Sequence, residues 1–219
     1  MDPGAWKACA GQPNIPAGAK VYAGLDLGAT RDLSALVIAY QDIDGIFHVR
    51  PYIWIPGDVR ERTADERTPY DLWVKQGFLT PTGRSTDPGV IARKIQEINS
   101  KNPIISLAFD RWRIEDLKRE LDAIGCRVPL EPFGQGYRDM SRAVDAVERL
   151  VDQGRLRHGD HPVLKMCVTN AVVTMDPAKN RKFDKSKSGG PIDALVALSM
   201  ALAVVNKAKP EIDIDALIG

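Results

Sequence analysis

The sequence predicts an α/β layer fold with a mixed central β-sheet flanked by helices. Three observations predict it: three consecutive β-rich runs joined by short turn signals, two later steps in which amphipathic helix and apolar strand alternate, and a last helix that is apolar on every face. With 219 residues, 44% hydrophobic and 27% charged, the chain is long enough to bury one core.

Residues 1–19, rich in Gly, Pro and Ala with Trp6 as the only large aromatic, follow neither a helical nor a strand period and read as a linker or lead-in. The runs 21–27, 33–40 and 46–55 are separated by Gly28-Ala29-Thr30 and Asp42-Ile43-Asp44-Gly45, which predicts three antiparallel strands. Residues 57–87 are polar and interrupted by Pro69, Gly77, Pro81 and Gly83. They form an excursion from the core in which 70–76 suits a short helix and 78–80 a short strand.

Asp87-Pro88 supplies an N-cap acid and a proline at the first helical position, and Val90, Ile91, Ile95 and Ile98 follow at helical spacing. Pro103 then introduces a buried strand at 104–109. Ile114, Leu117, Leu121 and Ile124 make the apolar face of the next helix, which Gly125 can end in a left-handed cap before a strand over 127–133. Met140, Ala143, Val144, Val147, Leu150 and Val151 give another amphipathic helix, and 162–175 is a weaker, Val-rich helical segment. The basic stretch 177–190 has no pattern, and 191–205 reads as a buried helix. One domain over 20–207 with a tail over 208–219 accounts for the whole.

Thirty basic against 29 acidic residues leave a net charge of +1. The global field will not hold a polyanion, so any nucleic-acid contact must be local. Cys9, Cys126 and Cys167 are odd in number and lack CxxC spacing, as reduced intracellular thiols do. The N-terminus has no basic-then-apolar leader and the run 192–205 is too short and Ala-rich for a span, which predicts a soluble protein with no membrane partner.

Three acids interrupt apolar surroundings. Asp26 lies inside Ala23-Gly24-Leu25-Asp26-Leu27-Gly28, Asp110 directly follows the strand 104–109, and Asp193 stands in the first turn of the buried helix among Ile192, Ala194 and Leu195. Burying an unpaired carboxylate is costly, which calls for a cation. Taken singly, each has a simpler role: a turn acid for Asp26, a helix N-cap for Asp110, a charge at a helix N-terminus for Asp193. Taken together, carboxylates from strand ends and a helix can converge on divalent metal ions.

The pieces Gly24-Leu25-Asp26-Leu27 with Asp32-Leu33-Ser34-Ala35-Leu36, Phe109-Asp110-Arg111-Trp112, and Gly134-Gln135-Gly136-Tyr137 through Met140-Ser141 occur in order. After them come Arg157-His158 with Pro162-Val163-Leu164 and Asn170, then Lys187 and Ile192-Asp193-Ala194-Leu195-Val196-Ala197-Leu198. In these pieces residues 20–206 resemble the nuclease domain of tailed-phage terminase large subunits, which has an RNase H-like fold; the order of elements above fits that topology. The resemblance implies a metal-dependent endonuclease that cleaves concatemeric double-stranded DNA during genome packaging in the host cytoplasm. It implies Asp26, Asp110 and Asp193 as ligands of two Mg2+ or Mn2+ ions, with 5′-phosphate and 3′-hydroxyl products. Asp32 matches a family position as well, as a supporting ligand or as a former of the turn after Thr30. The implied partners are duplex DNA, the terminase small subunit and the portal protein.

Lys179, Arg181, Lys182, Lys185 and Lys187 form a basic loop ahead of Asp193, and Arg31, Arg111 and Arg113 flank the acids; these are the candidate DNA contacts, against the plainer readings of a solvated loop and charge balance. Trp112 reads as a packing residue. His158, His161 and Cys167 lack a second element of zinc spacing, and His158 reads as structural. Asp213 and Asp215 read as solvated tail acids. No GxxxxGK[ST] loop is present to cradle ATP phosphates, so 1–19 is expected to lead in from a missing N-terminal ATPase domain. Three alternatives stand beside this reading. A Holliday-junction resolvase of the same fold would keep the acids but prefer branched DNA. An actin- or sugar-kinase-like phosphotransferase would use Asp26-Leu27-Gly28-Ala29-Thr30 as a phosphate turn. A non-catalytic DNA- or portal-docking module would bind without metal.

Overall fold

Alternation along the first strand decides what each side of the sheet packs against. A computed structural model describes residues 1–28, 30–111 and 114–208, and side chains through 205; Trp112, Arg113, Asp213 and Asp215 lie outside it. In β1 (Val21–Asp26) the side chains of Val21, Ala23 and Leu25 enter a core with α4 (Pro88–Lys101) and α5 (Ile114–Ala123). Gly24 and Asp26 belong to the opposite face, where α8 (Asp193–Ala208) lies against β1.

The main sheet runs β4-β3-β2-β1-β5-β6. β2 (Ser34–Gln41) and β3 (Phe47–Ile55) continue from β1 as antiparallel neighbours, and β5 (Ile104–Phe109) and β6 (Leu130–Pro132) add parallel strands on the other side. The expected mixed sheet is therefore the one observed. Beneath it, α6 (Tyr137–Asp152), α7 (Pro162–Asn170) and α8 bury Val147, Leu150, Leu164, Leu195 and Leu198 against the alternate residues of β2 and β3.

Helix α8 reaches β1 because residue 24 has no side chain. A Cβ at Gly24 would overlap the Ala197 carbonyl oxygen and stand 2.6 Å from the Ala201 nitrogen. Every side chain from Ile192 to Ala201 is buried, including Ser199, which returns its hydroxyl to the Leu195 carbonyl at 2.8 Å.

The structure departs from the sequence reading where segments are short or polar. Residues 1–19, where the sequence shows no period, include a short helix. Asp2 caps α1 (Pro3–Ala8) by accepting from the Ala5 amide at 2.7 Å, and Trp6 and Cys9 are buried. The excursion holds α2 (Val59–Glu66), which has almost no apolar face to reveal it, then α3 (Tyr70–Lys75) and β4 (Thr80–Pro81). The two-residue β7 (Leu156–Arg157) pairs in parallel with β3. The Val-rich segment is helical only to Asn170; it continues as β8 (Val173–Met175), which pairs with β9 (Arg181–Phe183) from the stretch expected to be patternless. Here pairing within a short hairpin overrides a weak helical period.

Candidate functional site

At the carboxyl ends of two parallel strands the site is assembled from β1 and β5. Leu25 stands opposite Phe109 in that pair, so Asp26 and Asp110 follow at the same level of the sheet. Such strand ends are where open α/β sheets place their ligand-binding groups. Asp193, in the first turn of α8, comes to the same place because α8 packs along β1.

Asp26 and Asp193 are 2% and 4% exposed. Between them lies the ammonium of Lys185, 2.8 Å from Asp26 Oδ2 and 3.0 Å from Asp193 Oδ1. Gln135, just beyond β6, donates from Nε2 to Asp26 Oδ1 at 3.4 Å. Burial pushes the Asp26 carboxyl above the usual carboxylate range; Lys185 opposes that rise and the neighbouring Asp193 adds to it. For Lys185, burial alone would lower the ammonium's pKa, but the field of Asp26 and Asp193 outweighs burial and raises it. The site therefore holds two carboxylates that solvent cannot screen, with one protein cation between them.

Among the described residues, no group of three or more His, Cys, Asp or Glu side chains is gathered closely enough to hold a metal ion. The pair brought together is Asp26 with Asp193, through Lys185, while Asp110 is their neighbour by strand register. Asp32 is exposed, in the turn where Ser34 Oγ accepts from the Gly28 amide at 3.1 Å.

Of the candidate DNA contacts, Arg31, Arg111, Lys179 and Lys187 are exposed. Lys187 reaches Asp184 at 3.4 Å and Lys182 lies 4.8 Å from the centre of the Tyr137 ring. Arg181 is engaged inside the protein: its guanidinium bonds Asp145 and reaches Glu148 Oε2 at 2.6 Å. Lys185, expected in the same loop, faces the acids. Arg113 lies outside the described residues.

The histidines are structural. The rings of His158 and Trp6 stack with centroids 4.1 Å apart, and His158 Nε2 donates to the Trp6 carbonyl at 2.9 Å. His161 caps α7, its Nδ1 accepting from the Leu164 amide at 3.4 Å. Cys167 is fully buried.

Sequence reasoning missed three contributors. Lys185 as the bridging cation and Gln135 as a donor to Asp26 depend on contacts across 159 and 109 residues. Arg62, buried, donates from Nη1 to the Arg31 carbonyl at 2.9 Å and to the Pro56 carbonyl at 3.2 Å, which ties the excursion to the turn that carries Asp32. A basic residue inside a polar helix gives no local sign of burial. In the sequence only Gln135 gave a hint, through its place in the Gly134-Gln135-Gly136-Tyr137 stretch.

A family model described as the terminase large subunit, endonuclease domain, matches residues 1–209. The terminase large subunit of Enterobacteria phage HK97 is 49% identical over 204 residues, which are 92% of this chain and 40% of that protein. The chain thus spans 40% of the length of that relative. The crystal structure of the HK97 large terminase superposes with a TM-score of 0.87 at 47% identity, over 93% of this chain and 43% of that one. A magnesium-bound large terminase nuclease from the thermophilic phage G20c superposes with a TM-score of 0.56 at 14% identity, over 91% of this chain and 94% of that one, a likeness of fold alone.

Proposed function

Because the chain belongs to the endonuclease-domain family of terminase large subunits, we propose that it is a metal-dependent endonuclease. Its task is to cut concatemeric double-stranded DNA during genome packaging in the host cytoplasm. The observation that carries this reading is the pair of buried carboxylates, Asp26 and Asp193, facing one cation at the ends of parallel strands beside Asp110.

The donor chemistry fits divalent ions, although among the described residues the three acids are not gathered around one point while Lys185 lies between two of them. The donors are all carboxylate oxygens, the ligands that hard cations such as Mg2+ and Mn2+ take, and the ammonium of Lys185 stands in for positive charge that the buried pair requires. Asp26, Asp110 and Asp193 would hold two such ions, with Asp32 in support. When bound, they would supply Lewis-acid stabilisation of the phosphate in an in-line displacement and make water acidic enough to attack. The chain's own residues do the rest. Burial keeps competing water off the acids, Gln135 orients the Asp26 carboxylate, and Arg31, Arg111, Lys179, Lys182 and Lys187, four of them exposed, would meet backbone phosphates. In the full-length protein an ATPase domain would drive translocation, and the small subunit and portal would be its partners.

The test is conversion of supercoiled plasmid to nicked and linear forms by the purified chain, in Mg2+, in Mn2+ and in EDTA. Cutting is expected with metal and absent with EDTA. Asp26→Asn, Asp110→Asn and Asp193→Asn are each expected to slow it at least roughly a hundredfold, the rate equivalent of a few kcal/mol of Lewis-acid stabilisation, with the fold retained by circular dichroism. Wild-type rates in all three variants would sink the assignment.

A further inference from the structure

Lys185 differs in exposure from the acids it bridges. The side chains of Asp26 and Asp193 are 3% and 5% exposed, on a central strand and a buried helix, whereas that of Lys185 is 47% exposed. The turn that carries it is pinned one residue earlier: the Asp184 amide donates to the Val172 carbonyl at 2.9 Å, and Asp184 Oδ1 accepts from Ser186 N and Oγ at 3.1 and 2.6 Å. The backbone is thus held in place while the lysine stem has solvent beside it. The carboxylates are enclosed by strand and helix, whereas the ammonium borders solvent.

A divalent cation and an ammonium cannot share the same two oxygens. At contact distance their repulsion in a poorly screened site exceeds thermal energy several-fold, and the oxygens that accept from Lys185 are those offered to a metal. We propose that Lys185 is a tethered counter-ion: it offsets one of the two charges of the Asp26 and Asp193 pair while no divalent ion is present, and it must swing out for one to enter. This rests on the reading of those acids as metal ligands. A lysine so placed weakens metal binding by the population of the closed arrangement, while leaving the metal-free fold with one uncompensated buried charge instead of two.

The experiment is Mn2+ titration of the intact chain, followed by the electron paramagnetic resonance signal of free Mn2+, with wild type, Lys185→Met and Asp26→Asn. Methionine keeps the length of the stem and removes the charge; Lys185→Gln serves if the methionine variant does not fold. Lys185→Met is expected to bind Mn2+ about tenfold more tightly than wild type, equal to about 1.4 kcal/mol, and to melt at a lower temperature than wild type without metal but regain more on adding it. Asp26→Asn is expected to bind at least about tenfold more weakly. Equal or weaker binding by Lys185→Met, with the Asp26→Asn loss intact, would overturn the tethered lysine alone. Equal binding by wild type and Asp26→Asn, or no saturable binding by any of them, would overturn the metal-ligand reading and the inference with it.

Discussion

Charge buried at Asp26 and charge kept out of His161 give the molecule opposite responses to pH. Burial holds the His161 imidazole down at about 4, against an ordinary value of 6.5, and lowers His158 as well. Between those two values the unfolded chain binds a proton that the folded chain refuses, so stability must fall as pH drops from about 6.5 toward 4. His161→Asn keeps a cap acceptor and removes the titration. Urea unfolding across that range should give a flatter profile than wild type, and an unchanged slope would show that His161 is not the source. For Asp26 the sign is reversed. A folded pKa above the unfolded one means that its ionised form is disfavoured by the fold at neutral pH. Metal-free Asp26→Asn should therefore resist urea as well as wild type or better, while losing the DNA cutting expected under the proposed function. A marked loss of stability would instead make Asp26 a structural acid.

Two contacts between elements hold the acids where they are. The first is the approach of α8 to β1 at Gly24. Gly24→Ala has to move the helix that carries Asp193 away from the strand that carries Asp26, an overpacking expected to cost about 1–3 kcal/mol, measurable by urea unfolding, with a loss of cutting larger than the loss of stability. The second is the excursion. Arg62 bonds the Arg31 and Pro56 carbonyls and, through Nε, Glu66 Oε1 at 2.8 Å, while Tyr70 donates to Glu66 Oε2 at 2.7 Å. Arg62→Ala strands those acceptors and should cost about 3 kcal/mol. Strands β1 to β3 and helices α4, α5, α6 and α8 were legible in the sequence because each is long enough to repeat its period. Helices α1 and α2 and strands β7 to β9 were not, since six or eight residues with one or two apolar anchors, or two or three residues of strand, carry no period to read.

At the scale of the molecule, a net charge of +1 leaves the proposed DNA binding to a local patch. Arg181 and Lys185 are already committed to acids of the protein, so Lys179, Lys182 and Lys187 remain from the basic loop, the last exposed and paired with Asp184. If all three meet phosphates, replacing them with glutamine should make the slope of log K against log salt shallower by roughly 2 to 3, measured by fluorescence anisotropy on a labelled duplex. A slope unchanged from wild type would move the DNA path off this loop. Among the described residues no helix is long and apolar enough to cross a membrane.

By itself the sequence determined the α/β class and the order of the long elements, and it singled out three acids as candidates, because a carboxylate that breaks an apolar run is conspicuous wherever the chain goes. It also carried the likeness to terminase nucleases, later matched over residues 1–209. The tertiary structure alone decided what stands opposite those acids: Lys185 rather than open solvent, Gln135 on the other oxygen of Asp26, and an N-terminal tryptophan stacked on His158. The reason is distance along the chain. A period or an out-of-place charge is local information, whereas the partner of a buried charge is set by which turn the fold returns to it.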